Sequence, residues 1–441
     1  MSLFGALTTA VSGLSAQSAA FSNISDNIAN SQTVGYKGVD TDFINYLTDS
    51  TATVNESGSV ATLPEYTNTV QGSITQSTDP LALAISGQGF FAVSQSTGTA
   101  NAAGTGVEFN PQQFYTRAGD FSVNSEGYLV NSAGNYLDGW AVNPATDVAN
   151  QTALAPIQIS QNTFQPVATS AITLAADLPA TPAANTPVTS QINVYDALGT
   201  QHTLTLNYAQ TNPLTNPNQW TVTITSPDNL PTTTIGTAEL TFGPTSGNAV
   251  APGTIGDIAA GAGVTSTAYT AGGAATLTLD PNLGQGAQPI TLNLGTFGGS
   301  TGLTQYAGTA FNLLGLTQNG VPQGSFSNVS VDTKGSVVVN YTNGQSQTVA
   351  QVPITTFNAP DALQSQSGQA YTASNDSGVA LTNPIGSNGA GSLIVGSTEG
   401  SNVDIATEFT KLIVAQEAYS ANAKVVTTAD QLATTTIDMK Q

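Results

Sequence analysis

The two ends of this 441-residue chain carry the pattern that most restricts its fold. Leu3, Leu7, Ala10, Leu14, Gln17, Phe21, Ile24 and Ile28 follow alternating steps of four and three, with Val11 beside them. That spacing places them on one helix face as a heptad-like stripe. Ile405, Phe409, Leu412, Gln416, Tyr419, Ala423 and Val426 repeat the pattern near the other end. Neither 1–63 nor 385–441 contains Pro, and no Gly follows Gly400. Ser401 and Asp404 read as a capping-box start. A helix from about Asn402 to Asp438 would run roughly 55 Å at 1.5 Å per residue. The opposite faces hold Ser, Thr, Gln, Asn and Ala with few charges, so they solvate poorly and suit second contacts. Two helices alone bury too little apolar area to hold together in water. The ends are therefore predicted to form a coiled-coil-like pair that orders only against further copies of itself.

Between the ends the period changes from helical to two. Leu204, Leu206 and Tyr208 alternate with polar residues, as do Trp220, Val222 and Ile224, and Ile290, Leu292 and Leu294. Such alternation marks half-buried strands. Ser122-Val-Asn-Ser-Glu-Gly127 resembles Ser330-Val-Asp-Thr-Lys-Gly335, and each reads as strand, tight turn, strand. Hairpins of one domain on both sides of 148–311 would make that block an insertion. The expected fold is mainly β with α-helical termini, a nested multi-domain chain with two β domains inserted one within the other. The expected parts are a helical domain of 1–30 with 402–441 and a connecting segment of 31–70 with 370–401. Inside these come a middle β domain of 71–147 with 312–369 and an inner β domain of 148–311. The Gly/Ala/Thr-rich stretch 236–275 reads as ordered β with long loops.

Charge and composition exclude most chemistry. Against 27 acidic residues stand six basic ones, for a net charge of −21, and no Lys or Arg lies between Arg117 and Lys334. A nucleic-acid binder needs those cations to displace counterions, so that class is out. There is no Cys and one His, His202, which leaves no donor set for structural zinc and no thiol chemistry. His202 opens the Leu204–Tyr208 strand and reads as a turn-side residue. Gly87-Gln88-Gly89 lacks the third Gly and the following helix of a dinucleotide loop. Arg117 reads as one half of a structural ion pair. The chain is expected to be no enzyme, with no catalytic residues, metal or cofactor. No apolar run reaches the roughly 20 residues of a membrane span. The first basic residue is Lys37, so the start lacks the n-region of a cleaved signal peptide. A Cys-free, Thr/Asn/Gly-rich acidic chain reads as an exported one, leaving by a route without a cleaved signal.

Ala29-Asn30-Ser31-Gln32-Thr33-Val34-Gly35-Tyr36-Lys37 resembles the signature of the axial proteins of the bacterial flagellum, the rod, hook and hook-associated family. Ser401-Asn402-Val403-Asp404, Leu412-Ile413, Gln416, Tyr419 and Asn422-Ala423-Lys424 resemble the closing helix of that family. Gln71-Gly-Ser-Ile74, Ile85–Phe91, Tyr115–Phe121 and Gly127–Asn131 fit as well. In the inner block, Val194-Tyr-Asp-Ala-Leu-Gly199 with His202 and Leu204, and Ile172–Leu178, are similar to the hook members; a distal rod or hook-associated member is the alternative. Two positions depart from the family pattern. Ala82 stands where Asp is usual, and Glu417 where a base is common, which points to altered charge pairing between neighbouring subunits. The resemblance implies a flagellar hook subunit, a homopolymer forming a hollow curved tube that couples rod to filament as a flexible universal joint. It implies as partners the rod and hook-filament junction proteins, the hook cap and the export apparatus. It implies an extracellular location in the hook-basal body. Leu7, Leu14, Phe21, Ile24, Ile28, Phe409, Leu412, Tyr419 and Val426 are the expected polymerisation seam. Ala29, Asn30, Ser31, Thr33, Gly35, Tyr36 and Lys37 are expected to join the first helix to the β region.

Overall fold

The computed structural model describes residues 3–50, 55–100, 107–182, 188–212 and 214–439. The chain is mainly β with a helix at each end, as its periodicity requires. Helix α1 spans Leu3–Ala29 and helix α2 spans Ile405–Asp438. α2 begins three residues later than the sequence suggests. Asp404 is its N-cap, accepting the Thr407 amide at 2.8 Å, while Ser401 only turns back onto the Val403 amide at 3.2 Å. Those cap hydrogen bonds hold the Asp404 carboxyl below the usual carboxylate range.

The chain divides into two compact units, each built from separate stretches of sequence. The first comprises 1–161, 328–340 and 346–441; the second comprises 162–327 and 341–345. The nesting follows from this division.

In the first unit, α1 leads into a long two-stranded ribbon, β1 (Val39–Ser50) paired antiparallel with β2 (Asn55–Tyr66). A lone hairpin of this kind is marginal in water. Here α1 lies along it, with Ser12 Oγ accepting the Val60 amide at 3.0 Å and Asn23 Nδ2 donating to Thr41 Oγ1 at 2.8 Å. A larger sheet passes in order through Ser346–Gln351, Asn135–Asn143, Phe91–Ala100, Phe114–Thr116, Ala370–Thr372 and Gln364–Gln366. Its aromatic core has Phe90 edge-on to Phe357 at 6.1 Å and to Tyr371 at 5.8 Å, with Tyr115 4.9 Å from Phe357. The two echoed motifs share one turn. The Asn124 carbonyl oxygen Oδ1 accepts the amides of Glu126 and Tyr128, and Asp332 Oδ1 accepts those of Lys334 and Ser336. Gly127 (φ 85°) and Gly335 (φ 81°) close the turns in the left-handed region that glycine tolerates.

In the second unit two sheets enclose one core. An antiparallel sheet runs in order through Val188–Tyr195, Gln201–Asn212, Asn216–Thr225, Thr234–Phe242 and Ile255–Ala260. The other runs through Val264–Ser266, Ala274–Leu279, Ile290–Thr296, Ala171–Pro179 and Leu303–Tyr306. The strand Asn312–Gln318 also pairs with Ala171–Pro179, carrying this sheet beyond residue 311. Every alternating residue read from the sequence points inward: Leu204, Leu206, Tyr208, Trp220, Val222, Ile224, Ile290, Leu292 and Leu294 all lie buried in one cluster. The stretch 236–275 is ordered β: it supplies most of Thr234–Phe242, then Ile255–Ala260 and Val264–Ser266.

Candidate assembly site and its buried junction

The terminal helices run antiparallel against each other within one chain. Phe21 meets Tyr419 edge-on, ring centroids 6.2 Å apart, and a Cβ on Gly13 would come within 2.9 Å of Asn422 Nδ2. Small residues make this close approach possible. Ala10, Ala16, Ala20 and Ile24 of α1 are buried, as are Glu408, Ala415 and Ala429 of α2. The pair thus forms inside a single subunit rather than only between copies, which corrects the sequence-based expectation. It consumes one stripe of each helix and leaves much apolar surface over. On α2, Ile405, Phe409, Ile413, Val414, Tyr419, Val425 and Leu432 stay exposed, Phe409 by 50% and Val414 by 63%. On α1, Leu7 and Val11 line an open groove of about 730 Å³ against Val60–Thr62 of β2.

The predicted seam residues therefore fall into classes. Ile24 is fully buried against its own chain. Leu7, Leu14, Phe21, Ile28, Leu412 and Val426 are half-buried along the helix pair, and Phe409 and Tyr419 are exposed.

The 29–37 motif ends α1 and ties it to the β region. Ser31 Oγ donates to the Ile28 carbonyl at 2.8 Å, Asn30 Nδ2 to the Asp26 carbonyl at 2.9 Å, and Thr33 Oγ1 to Asn30 Oδ1 at 3.1 Å. The first two reinforce carbonyls that already accept the Ser31 and Asn30 amides, and the third ties two side chains of the turn together. Ala29 is exposed at the stop itself. The chain then turns at Gly35, whose φ is +69° and whose missing Cβ would sit 2.4 Å from the Ala118 amide nitrogen. Only glycine fits there.

Beyond the turn lies a group that sequence reading did not single out. Glu399, with no exposed surface, receives Lys37 Nζ on Oε1 at 2.5 Å and Arg117 Nη1 on Oε2 at 3.0 Å. The Gly72 amide also donates to Oε1 at 2.9 Å, and the Gly35 amide donates to the main-chain oxygen of Glu399 at 2.8 Å. Lys37 Nζ reaches the Val70 carbonyl at 2.7 Å, Arg117 Nη2 reaches the Gly87 carbonyl at 2.7 Å, and the guanidinium lies 5.2 Å from the Phe90 ring centre. One carboxylate thus fastens four chain segments. Burial pushes the Lys37 ammonium below its ordinary pKa, and Glu399 works against that push. Arg117 is the structural ion-pair member its sequence context suggests.

A second node sits at the root of α2. Asn27, buried, donates from Nδ2 to Glu408 Oε2 at 3.2 Å and to the Val39 carbonyl at 3.0 Å, and its Oδ1 accepts Tyr36 Oη at 3.1 Å. Glu408 in turn accepts Lys411 Nζ at 2.9 Å, and Lys411 also pairs with Asp40. Burial opposes the Lys411 charge, but its hydrogen bonds to the Asp40 and Glu408 carboxylates outweigh that and raise the pKa. Asn402 accepts the Gly38 amide at 2.8 Å and donates to Thr67 Oγ1 at 2.9 Å. α1 is thus bound to the ribbon by the buried Asn27, and α2 by the Lys411–Asp40 pair nearer the surface.

Elsewhere the chemistry is sparse. His202 stands between Asp228, 2.9 Å from Nδ1, and Asp196, 3.5 Å from Nε2, and Asp196 accepts the Leu198 and Thr200 amides of its own turn. Among the described residues no grouping of three metal-ligating side chains occurs, and no helix is long and apolar enough to cross a membrane.

This arrangement agrees with what the chain resembles. Four family models match it in order: flagella basal body rod protein over 7–37, the flagellar hook protein FlgE/F/G D1 domain over 84–174, the flagellar basal body protein FlaE D2 domain over 165–321, and the flagellar basal body rod FlgEFG protein C-terminal over 394–439. It is 31% identical over 445 residues to the flagellar hook protein FlgE of Rhizobium meliloti (strain 1021), covering 100% of both chains. To that of Brucella abortus biovar 1 (strain 9-941) it is 33% identical over 448 residues, again covering 100% of both. To that of Salmonella typhimurium (strain LT2) it is 28% identical, covering 98% of this chain and 99% of the other. The crystal structure of the Helicobacter pylori flagellar hook protein FlgE2 matches 72% of this chain and 98% of its own, at 16% identity and a TM-score of 0.49. With relatives above 30% identity along its whole length, the chain belongs to the flagellar hook protein FlgE family.

Proposed function

We propose that this protein is the structural subunit of a flagellar hook, and that copies of it join through the open face of the terminal helix pair into a hollow curved tube. The observation that carries this reading is the apolar face of α2. Ile405, Phe409, Ile413, Val414 and Leu432 are exposed on a helix whose opposite stripe is already used. An exposed apolar surface of this extent on a secreted chain calls for a cover. Identical copies supply it, since head-to-tail contacts that do not close on themselves generate an open helix. The groove beside Leu7 and Val11 widens the same surface.

In this reading residues 1–30 with 402–441 form the helical inner tube. The 29–37 motif and the Glu399 node pass torque from that tube to the β region, so that rod rotation reaches the filament. The β domains, with their Thr-, Asn- and Ser-rich surfaces, make weak exchangeable contacts that slide as a curved tube turns. Rod and hook-filament junction proteins, a hook cap and the flagellar export apparatus are the implied partners, with export needing no cleaved signal.

Phe409→Asp tests the reading. Phe409 is half exposed in one subunit, so the monomer keeps its fold and helix content. A seam contact then buries an unpaired carboxylate, which costs several kcal/mol. The expected result is a folded monomer that forms no tubes by electron microscopy. Phe21→Asp does the same but also loosens the contact with Tyr419. Tubes of normal appearance from Phe409→Asp would contradict the assignment.

A further inference from the structure

We propose that the row Ile405, Phe409 and Ile413 on α2 of one copy seats in the groove between α1 and β2 of the next; the proposal rests on the seam reading above. The two open sides of the helix pair are unlike. At about 100° per residue, Ile405, Phe409 and Ile413 lie between about 100° and 180° round α2 from Asn422, which meets Gly13 of α1. They form a ridge on the side of the pair away from α1. On α1, Thr8, Val11 and Ser15 lie about 150° round the helix from Gly13. With Leu7 and with Val60–Thr62 of β2 they line the open groove of about 730 Å³. One side is thus convex and the other concave, which is the meeting of unlike patches that a head-to-tail contact needs.

The chemistry of the two sides matches. No residue lining the groove is charged. On α2, Asp404, Glu408 and Lys411 all fall within about 40° of the Asn422 direction, and Glu417 lies a turn beyond Ile413. The ridge itself therefore carries no charge. The cleft between α2 and the ribbon is a poorer seat: it holds about 430 Å³, and Asp40, Glu65 and Lys411 line it. An apolar ridge pressed there would take those groups out of water without giving them new partners. The groove buries no charge.

Level along the helices decides what such contacts build. Asn422 stands beside Gly13 and Glu408 beside Asn27, so Phe409 is level with Asp26 on α1. The groove centres on Val11, about fifteen residues away, or roughly 22 Å at 1.5 Å per residue. Each seated copy is shifted along the axis by about that amount. A ridge and groove at one level would let a flat ring close; the offset forbids it, and the contacts climb as an open helix. Direction agrees as well. Copies that all point the same way bring α2 of one against α1 of the next antiparallel, as the two run within a subunit.

The chain has no cysteine, so a pair of introduced thiols reports the contact directly. In full-length Val11→Cys/Ile413→Cys the two positions lie on opposite sides of the helix pair, roughly 16 Å apart along it. A disulfide needs Cα atoms within about 7 Å, so a bridge can form only between copies. Tubes assembled under reduction and then oxidised are expected to give a ladder of dimers, trimers and longer species on a non-reducing gel. Each single variant, and the unpolymerised double variant, should stay monomeric. Val11→Cys/Val414→Cys is the control, because Val414 lines the ribbon-side cleft. Tubes without a ladder, a ladder as strong from the control, or dimers from a single variant would overturn the seating and leave the seam standing. If the cysteines prevent tubes, Val11→Asp and Ile413→Lys decide. Each should raise the critical concentration, read by light scattering, about tenfold or more, and the combination should restore it. A combination no better than the worse single would overturn the seating. Phe409→Asp runs alongside, and normal tubes from it would bring down the seam reading itself.

Discussion

Replacing Glu399 by Gln tests whether one carboxylate holds the junction between helices and β region. The change is nearly isosteric, so packing is conserved and electrostatics is isolated. Every acceptor position of Glu399 faces a donor: Lys37 and the Gly72 amide on Oε1, Arg117 on Oε2. An amide NH₂ must therefore oppose a donor whichever way it turns, and two buried cations lose their counter-charge. Breaking a buried pair from one side costs about 3–5 kcal/mol. Lys37 sets a ceiling on its share, since it can shed its proton, and doing so at pH 7 from an ordinary pKa near 10.4 costs about 4.6 kcal/mol. A loss of about 3–5 kcal/mol is therefore expected.

The sign with pH follows. In the variant the folded state holds Lys37 neutral while the unfolded chain holds it charged, so the unfolded state binds more protons and stability rises with pH. The slope is about 1.4 kcal/mol per unit from pH 7 towards 9. The two tryptophans make the measurement clean, because Trp140 lies in the first unit and Trp220 in the second. Urea unfolding followed by Trp140 fluorescence in a Trp220→Phe background reports the first unit alone. A loss below about 1 kcal/mol, or one that does not shrink as the pH rises, would refute the reasoning.

Asp138 offers an opposite case. Burial, against hydrogen bonds from Gln113 and Ser94, pushes its pKa up to about 6, so its ionised form burdens the fold above that pH and the burden lifts as the pH falls towards 4. Asp138→Asn should stabilise the first unit by about 2–3 kcal/mol at pH 7.5 and by almost nothing at pH 4; equal melting shifts at both pH values would count against this. Gly35→Ala combines a backbone with φ +69° and a Cβ 2.4 Å from the Ala118 nitrogen. It should cost about 2 kcal/mol or more, read as an earlier Trp140 transition, and an unchanged melt would show that the turn can relax.

The parts of this molecule that are legible in its sequence are those where a period is long and uninterrupted. Leu204, Leu206 and Tyr208 alternate because one face of their strand is buried, and burial is what writes the period. The helices are legible for the same reason, yet their contact face is not. Of the large stripe residues described on α1 only Ile24 is fully buried, whereas Ala16, Ala20 and Ala415, outside the stripes, are buried, because small side chains let the axes approach. The β1–β2 ribbon reads as a connecting segment because the alternation from Val39 to Phe43 breaks at Ile44 and Asn45. It is held by α1, a contact no local pattern records. Glu399 is hidden for a related reason. Lys37 and Arg117 each have an acid three residues on, Asp40 and Asp120, yet both pair with Glu399; 27 acids are available and only the folded chain selects one.

The way cations are spent has a consequence for resistance to proteolysis. Trypsin-like proteases cut only after Lys or Arg. Lys37 and Arg117 are sealed in the Glu399 node, and no basic residue follows until Lys334. The whole second unit up to 327 therefore contains no bond such an enzyme can open, folded or unfolded. A segment built without lysine or arginine stays in one piece under trypsin even when heat or strain undoes its fold, and can refold from an unbroken chain.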